Sequence, residues 1–222
     1  MITVHHLENS RSHRILWLLE ELGADYQIEH YQRDRQTRLA PPELRDVHPL
    51  GKSPVITDGD VTVAESGAII EYLLDAHGDH DLRPAPQTPD FFRYRYWLHY
   101  AEGSAMSPLL LKVIFNELPR QGPFLAKPIL RAISKMVSAE YIDPQIDRHI
   151  RYWEDELSTS DYFAGDQFSA ADIQMSFPLK GVESLGVFEK KFPAARAYLE
   201  KIRRRPAYNK AIERGGGLDI SF

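Results

Sequence analysis

The chain has no cysteine among its 222 residues. That excludes a disulfide frame, a thiolate metal site and a protein thiol nucleophile. Any thiol chemistry must therefore use a thiol carried in by a ligand. No apolar run approaches the roughly 20 residues of a membrane span. The start Met1-Ile2-Thr3-Val4-His5-His6 lacks the basic and apolar regions of a signal peptide, so a cytoplasmic location is expected. There is no basic excess either. A formal net charge of -5 argues against broad binding to nucleic acid or to anionic membranes. Gly215-Gly216-Gly217 lacks the Lys-Ser/Thr that would follow in a phosphate loop. Nine histidines are present, but His5 and His6 would face opposite sides of a strand, and His77 and His80 have no evident third ligand. No metal site is expected.

What is present is ample apolar content, 43%, enough for the core of one or two domains. Ile2 to His6 reads as a short strand. Ile15, Leu18, Leu19 and Leu22 follow helical spacing, and Gly23 fits a helix stop. Tyr26, Ile28 and His30 alternate as a second strand. Pro41-Pro42-Glu43-Leu44 suits a helix start. Val55–Thr57 and Val61–Val63 flank Asp58-Gly59-Asp60 as a hairpin, and Ser66 to His77 is helical up to Gly78. The stretch 78–90 is proline-stiffened and aperiodic, a linker. Beyond it the pattern is helical throughout. Asp90 to Leu118 predicts one long helix, Gly122-Pro123 a break, and Pro128 and Pro144 starts or kinks. Ile146, Ile150, Trp153 and Leu157 predict another helix, and Pro193 to Arg205 a last one stopped by Pro206. The tail from Gly215 to Phe222 reads as irregular.

Two stretches suggest binding chemistry. His48-Pro49-Leu50-Gly51-Lys52-Ser53-Pro54-Val55-Ile56 places a proline where a strand begins, which can leave strand-type backbone groups open to a peptide-like ligand. Glu65-Ser66 places an acid and a hydroxyl where a helix begins, which can grip such a ligand's charged end. Each stretch also has a plain structural reading, a strand-start proline and a capped helix.

These motifs, with Asn9-Ser10-Arg11-Ser12 and Arg14 at the first helix and Phe168-Ser169-Ala170-Ala171-Asp172 in the helical half, occur in one order over nearly the whole chain. In this arrangement the chain resembles the cytosolic glutathione transferases. Arg14 to Leu22 is most similar to a serine/asparagine-type branch of bacteria and fungi. His5, His6 and Leu7 stand where the tyrosine-type classes carry their catalytic residue.

The resemblance implies an α/β thioredoxin-like N-terminal domain over 1–79, a linker over 80–89 and an all-α domain over 90–222. It implies glutathione as co-substrate, a small hydrophobic electrophile or peroxide as second substrate, and a homodimer. Ser10 would be the first choice to hold the glutathione thiolate, with Asn9 its rival. Ser10 also reads as a helix cap. Ser53 and Pro54, joined by a cis bond, would meet the cysteinyl part. Glu65 and Ser66 would bind the γ-glutamyl end, Lys52 the glycine carboxylate, and Arg11 would face site or solvent. Tyr100 and Met106 are placed at the second substrate. Ser169 to Asp172 is a capping box and a folding element.

The energetics need no protein base. Lowering a thiol pKa from about 8.5 by ~2 units takes about 2.7 kcal/mol. One hydrogen bond to the charged group supplies about 1.5–3 kcal/mol. The same thiolate would serve a peroxidase or disulfide reductase, or an isomerase given further cationic groups. A non-catalytic binding module of the same fold is the alternative from a different class.

Overall fold

The structure, a computed structural model, describes residues 1–78 and 81–219, without the side chains of Glu189 and Lys190. His80, at the start of the expected linker, and the end of the tail lie outside these residues. Strand β1 (Ile2–Leu7) is central to a four-stranded sheet. It pairs in parallel with β2 (Tyr26–Tyr31), from Ile2 opposite Tyr26 to Leu7 opposite Tyr31. On its other side it pairs antiparallel with β3 (Val55–Asp58), which forms a hairpin with β4 (Val61–Ala64). Parallel pairing of β1 and β2 requires a crossover, and α1 (His13–Leu22) supplies it. Gly23, at φ 61°, closes α1 in the left-handed conformation that glycine adopts without a Cβ penalty. The single turn α2 (Leu44–Val47) precedes β3, and α3 (Ser66–His77) follows β4.

Helix α1 is buried over His13–Leu19 and at Leu22. A helix apolar on one side only would face the sheet and leave its back to water. Here the back is covered by helices of the second half, which is why Trp17 and Arg14 are fully buried as well.

The predicted long helix is present but interrupted. Helix α4 (Pro89–Tyr100) passes through a π-helical turn at Ala101–Ala105 into α5 (Met106–Gln121). Thr88 caps α4 by accepting the Phe91 N–H at 3.2 Å. After a turn at Phe124–Ala126 come α6 (Lys127–Val137), a second π-helical turn at Ser138–Ile142, and α7 (Asp143–Thr159). Helix α8 (Ala170–Ser184) opens with the expected capping box at Ser169 and Asp172. The single turn α9 (Phe188–Lys191) and α10 (Pro193–Arg203) follow. Pro206 does not merely stop a helix, as the sequence suggested. It opens α11 (Pro206–Gly215) as a first-turn residue, where its missing N–H costs nothing. Ala207 and Ala211 seat that helix closely against α1.

Among the described residues, no helix is long and apolar enough to cross a membrane, and no three His, Asp or Glu side chains gather as a metal site.

His13 shows what this packing does to a titratable group. It is 2% exposed, its ring lies edge-on to Tyr208, and its Nε2 has no hydrogen-bond partner among the described residues. Burial, then the neighbouring His6 and Arg14, lower its pKa from 6.5 to about 4. The folded state therefore prefers neutral His13. Its stabilising preference is complete above pH 6.5 and is lost as pH falls toward 4. The loss amounts to about 3 kcal/mol at ~1.4 kcal/mol per pH unit. Urea titrations between pH 7 and 4 should show this fall, and His13→Phe should flatten it. Equal slopes for both proteins would contradict the assignment.

Candidate active site

The C-terminal end of β1 and the loop after it form one wall of the site. β3 begins pairing with β1 only at Val55, opposite His5. Ser53 continues the contact with its side chain: Oγ donates to the His5 carbonyl at 2.8 Å and accepts the Leu7 N–H at 3.2 Å. No backbone hydrogen bond among the described residues uses the N–H or C=O of Ser53. The Ser53–Pro54 peptide is cis, as expected. Gly51 precedes it at φ 55°, and a Cβ there would lie 2.7 Å from Cγ of Arg45, so this approach needs glycine.

The loop itself is held by an ordered chain of hydrogen bonds. His6 Nε2 lies 2.8 Å from the Gly215 carbonyl, which can only accept, so Nε2 carries the hydrogen. Burial lowers the His6 pKa, and the ring is neutral near pH 7. Its Nδ1 is then an acceptor and takes the Ser12 hydroxyl hydrogen at 2.8 Å. Ser10 Oγ, 2.7 Å from Ser12 Oγ, must donate to it and also accepts the Ser12 N–H. The Ser10 hydroxyl is buried and its hydrogen is engaged.

Asn9 is the opposite case. It is exposed, at φ 50°, a left-handed conformation that asparagine tolerates. Its Oδ1 accepts the Asp219 N–H at 2.7 Å. A backbone N–H can only donate, so the orientation of the Asn9 amide is settled and its Nδ2 hydrogens point elsewhere.

Arg14 ties the other wall together. It is 0% exposed. It donates to the Gln174 carbonyl at 2.8 Å, to Ser66 Oγ at 3.0 Å and to Glu102 at 2.5 Å. Burial pushes the Glu102 carboxyl up, but Arg14 and Arg11 outweigh it and hold the pKa below the usual carboxylate value. Because Ser66 Oγ accepts from Arg14, its own hydrogen is directed away from Arg14. Ser66 opens α3, whose first backbone hydrogen bond runs from Ile69 to Glu65. The N–H groups of Ser66, Gly67 and Ala68 have no intrahelical partner, as helix geometry requires, and no backbone partner elsewhere among the described residues. Glu65 is exposed at φ 71° and ψ 124°, an unusual backbone conformation for a residue with a side chain. Such outliers cost about 1–3 kcal/mol and concentrate at functional sites.

The remaining expected residues fall in different settings. Lys52 is exposed beside Ser53. Arg11 is engaged: Nε lies 3.0 Å from both Glu102 oxygens, and its guanidinium sits over Phe177. Tyr100 and Met106 are buried in the helical half, the Tyr100 hydroxyl bonded to His149 and to the indole N–H of Trp153. Among the described residues the hydrogen bonds of Tyr100 run to His149 and Trp153, not to the loop of Asn9 and Ser10.

Several contributors escaped sequence reasoning: Glu102, His6 as a hydrogen-bond partner of Ser12, and the tail residues Gly215 and Asp219. Glu102 lies in the π-helical turn, which re-aims one side chain relative to a regular helix. Gly103-Ser104, weak helix formers within a long helix, were the available signal. The tail carried none, because its contacts span more than 200 residues.

Comparison with known proteins agrees with this geometry. The glutathione S-transferase N-terminal domain matches residues 1–75 and the corresponding C-terminal domain matches residues 128–206. Glutathione S-transferase 1 of Saccharomyces cerevisiae is 34% identical over 100% of this chain and 98% of its own. The crystal structure of a glutathione S-transferase from Actinobacillus pleuropneumoniae superimposes with a TM-score of 0.81 at 37% identity, over 99% of this chain and 95% of its own. A sphingomonad glutathione S-transferase, solved in complex with glutathione, gives a TM-score of 0.72 at 25% identity, over 96% and 98%. The α/β unit with its thioredoxin-like sheet, the helical unit behind it and these matches lead to one conclusion: the chain belongs to the glutathione S-transferase family.

Proposed function

We propose that the protein is a glutathione transferase that stabilises the thiolate of bound glutathione for attack on a hydrophobic electrophile. One observation carries the binding half of this reading. Arg14 holds Ser66 with its hydroxyl hydrogen free at the open N-terminus of α3, directly after the unusual backbone of Glu65. A carboxylate there meets the hydroxyl and the unpaired N–H groups. An ammonium on the same α-carbon meets Glu65. An amino acid's zwitterionic end, as in the γ-glutamyl group, fits both. The unpaired N–H and C=O of Ser53 suit the central peptide, and Lys52 suits the terminal carboxylate.

For the thiolate, hydrogen-bond direction supports Asn9 over Ser10. Ser10 would have to withdraw its hydrogen from Ser12, whereas the Asn9 amide hydrogens have no partner among the described residues. We therefore assign the thiolate to Asn9 Nδ2, assisted by the N-terminus of α1. Tyr100 and Met106 are buried, which supports a place for them in the packing beneath the electrophile. Arg11 shapes that wall through Glu102 and leaves the tripeptide to the other groups. Exposed Phe92 and Tyr96 on α4 support contact with a second copy in a homodimer, and a cytoplasmic setting suits a chain without cysteine.

The test is the ultraviolet absorbance of bound thiolate against pH. The wild type should bind glutathione with a thiol pKa well below the free value. Asn9→Ala should raise it by about 1–2 units, the equivalent of a ~1.5–3 kcal/mol hydrogen bond to charge. Ser10→Ala should raise it by less than about half a unit. The opposite ranking would return the role to Ser10. A wild type with no bound thiolate near neutral pH would overturn the enzyme reading.

A further inference from the structure

Given Asn9 as the group that meets the thiolate, we propose that the tail after α11 belongs to the catalytic apparatus: the backbone N–H of Asp219, delivered by a turn at Gly216 and anchored by Leu218, is a positioning group for the Asn9 amide.

Asn9 is exposed, and an exposed amide turns readily about its last bond. Its two ends have opposite effects. Nδ2 donates to a thiolate, whereas Oδ1 repels one. An amide that holds a thiolate therefore needs a partner that fixes which end faces the sulfur. Among the described residues that partner is the Asp219 N–H, which donates to Oδ1 at 2.7 Å.

The course of the tail suits this contact. Gly215 closes α11, and its carbonyl accepts from His6 Nε2 at 2.8 Å. A Cβ on Gly215 would lie 2.4 Å from Cδ1 of the fully buried Leu16 and 3.3 Å from Cε1 of His6, so glycine lets the helix end approach β1 closely. Gly216 stands at φ 85° and ψ 168°, a backbone region essentially reserved for glycine. From that turn the chain runs over Gly217 and Leu218 to the loop after β1. Leu218 is partly buried: it packs against the core and lines a small cavity with His13, Leu199, Ile202 and Tyr208. A helix-end hydrogen bond, a glycine turn and an apolar anchor together bring one N–H to one amide. Packing of Ala207 and Ala211 on α1 accounts for α11, but not for the course of the chain beyond it.

The plain alternative is a tail that merely covers the loop. A cover acts through the side chains it lays down. The Asp219 carboxylate gives a neighbouring thiolate no help, since like charge disfavours the ionised form. What this residue offers the site is its N–H.

The test compares Asp219→Pro, which has no N–H, with Asp219→Ala, which keeps it; both lose the carboxylate. The readout is the ultraviolet absorbance of glutathione thiolate bound to the full chain, titrated against pH. Asp219→Pro should raise the bound thiol pKa by about half a unit to one unit, the equivalent of one neutral hydrogen bond. Asp219→Ala should not raise it. Leu218→Ser, which loosens the anchor, should shift it in the same direction as Asp219→Pro. Calorimetric affinity for glutathione, measured below the thiol pKa, should be unaltered in all three, because the groups at Ser53 and Ser66 are untouched. On an Asn9→Ala background, Asp219→Pro should add nothing. Circular dichroism should report unchanged folding throughout, since position 219 is exposed.

A wild-type thiol pKa in Asp219→Pro, beside a shifted one in Asn9→Ala, overturns the role of the tail and leaves that of Asn9 standing. Equal rises in Asp219→Pro and Asp219→Ala overturn it too, as does a rise from Asp219→Pro that persists without Asn9, because the N–H then does not act through the amide. No shift in Asn9→Ala removes Asn9 from the thiolate and the tail's role with it.

Discussion

Replacing Arg14 by alanine should lower the unfolding free energy by about 3–5 kcal/mol, the usual cost of removing one partner from a buried ion pair. Arg14 is fully buried and makes three contacts to three separate elements: Gln174 on α8, Ser66 on α3 and Glu102 in the π-helical turn. Its removal strips a buried carbonyl, a hydroxyl and a carboxylate of the same donor. Glu102 keeps Arg11, so its carboxylate is not left wholly unpaired. The contribution also has a pH signature. Glu102 sits below its ordinary pKa of 4.5, so the stabilisation is present above that value and is lost as pH falls through the lower folded one.

Arg14→Ala should also weaken glutathione binding by about tenfold, because Ser66 loses the bond that fixes its hydroxyl, roughly 1.4 kcal/mol of positioning. Lysine at this position should rescue little, since one ammonium cannot reproduce a planar fork aimed in three directions. Urea midpoints and calorimetric glutathione titrations of the two variants check both parts. A stable Arg14→Ala protein with unaltered glutathione affinity would remove Arg14 from the account.

Asp172→Ala should be at least as damaging, about 4 kcal/mol or more, by a different route. Asp172 is 0% exposed and accepts four hydrogen bonds: from the Ser169 N–H at 2.8 Å, the Ser169 hydroxyl at 3.0 Å, the Phe163 N–H at 3.0 Å and the Tyr198 hydroxyl at 2.6 Å. Burial pushes its pKa up, while those donors oppose the shift. Truncation leaves several buried donors unsatisfied, at about 1–3 kcal/mol each. It also deletes the Asp172 half of the capping box of α8, the helix that carries Gln174. Asp172→Asn should cost less than the alanine change but remain damaging, because its amide would present hydrogens to groups that are themselves donors. Tyr198→Phe, removing one bond and its donor together, should cost only about 1 kcal/mol. Chemical unfolding of the three variants orders them. Tyr198→Phe as costly as Asp172→Ala would show that the tyrosine contact, and not the cap, dominates.

These two residues mark the boundary between what was legible in the sequence and what was not. Asp172 was readable because a capping box is local: Ser169 and Asp172 lie three residues apart and their hydrogen bonds follow from helix geometry. The same locality made the strands, the hairpin at Gly59 and the helix stop at Gly23 accessible from the order of residues, whereas the cis Ser53–Pro54 bond was expected only from the family resemblance. Helix α11 was missed because proline signals both a stop and a first turn, and only burial of Ala207 and Ala211 against α1 distinguishes them.

The sequence by itself determined the α/β order followed by helices, the absence of any protein thiol, and the local motifs at Ser53 and Ser66. Tertiary structure alone decided which hydrogen-bond partners the two thiolate candidates have among the described residues. Ser10 and Asn9 are adjacent and chemically eligible. The hydrogen of Ser10 is drawn inward because His6 donates to a carbonyl at the end of α11, and the amide of Asn9 is turned outward because Asp219 donates to its oxygen. Hydrogen-bond direction propagates through space from whichever partner can only donate or only accept. Here those partners lie more than 200 residues away in the chain, beyond the reach of any local pattern.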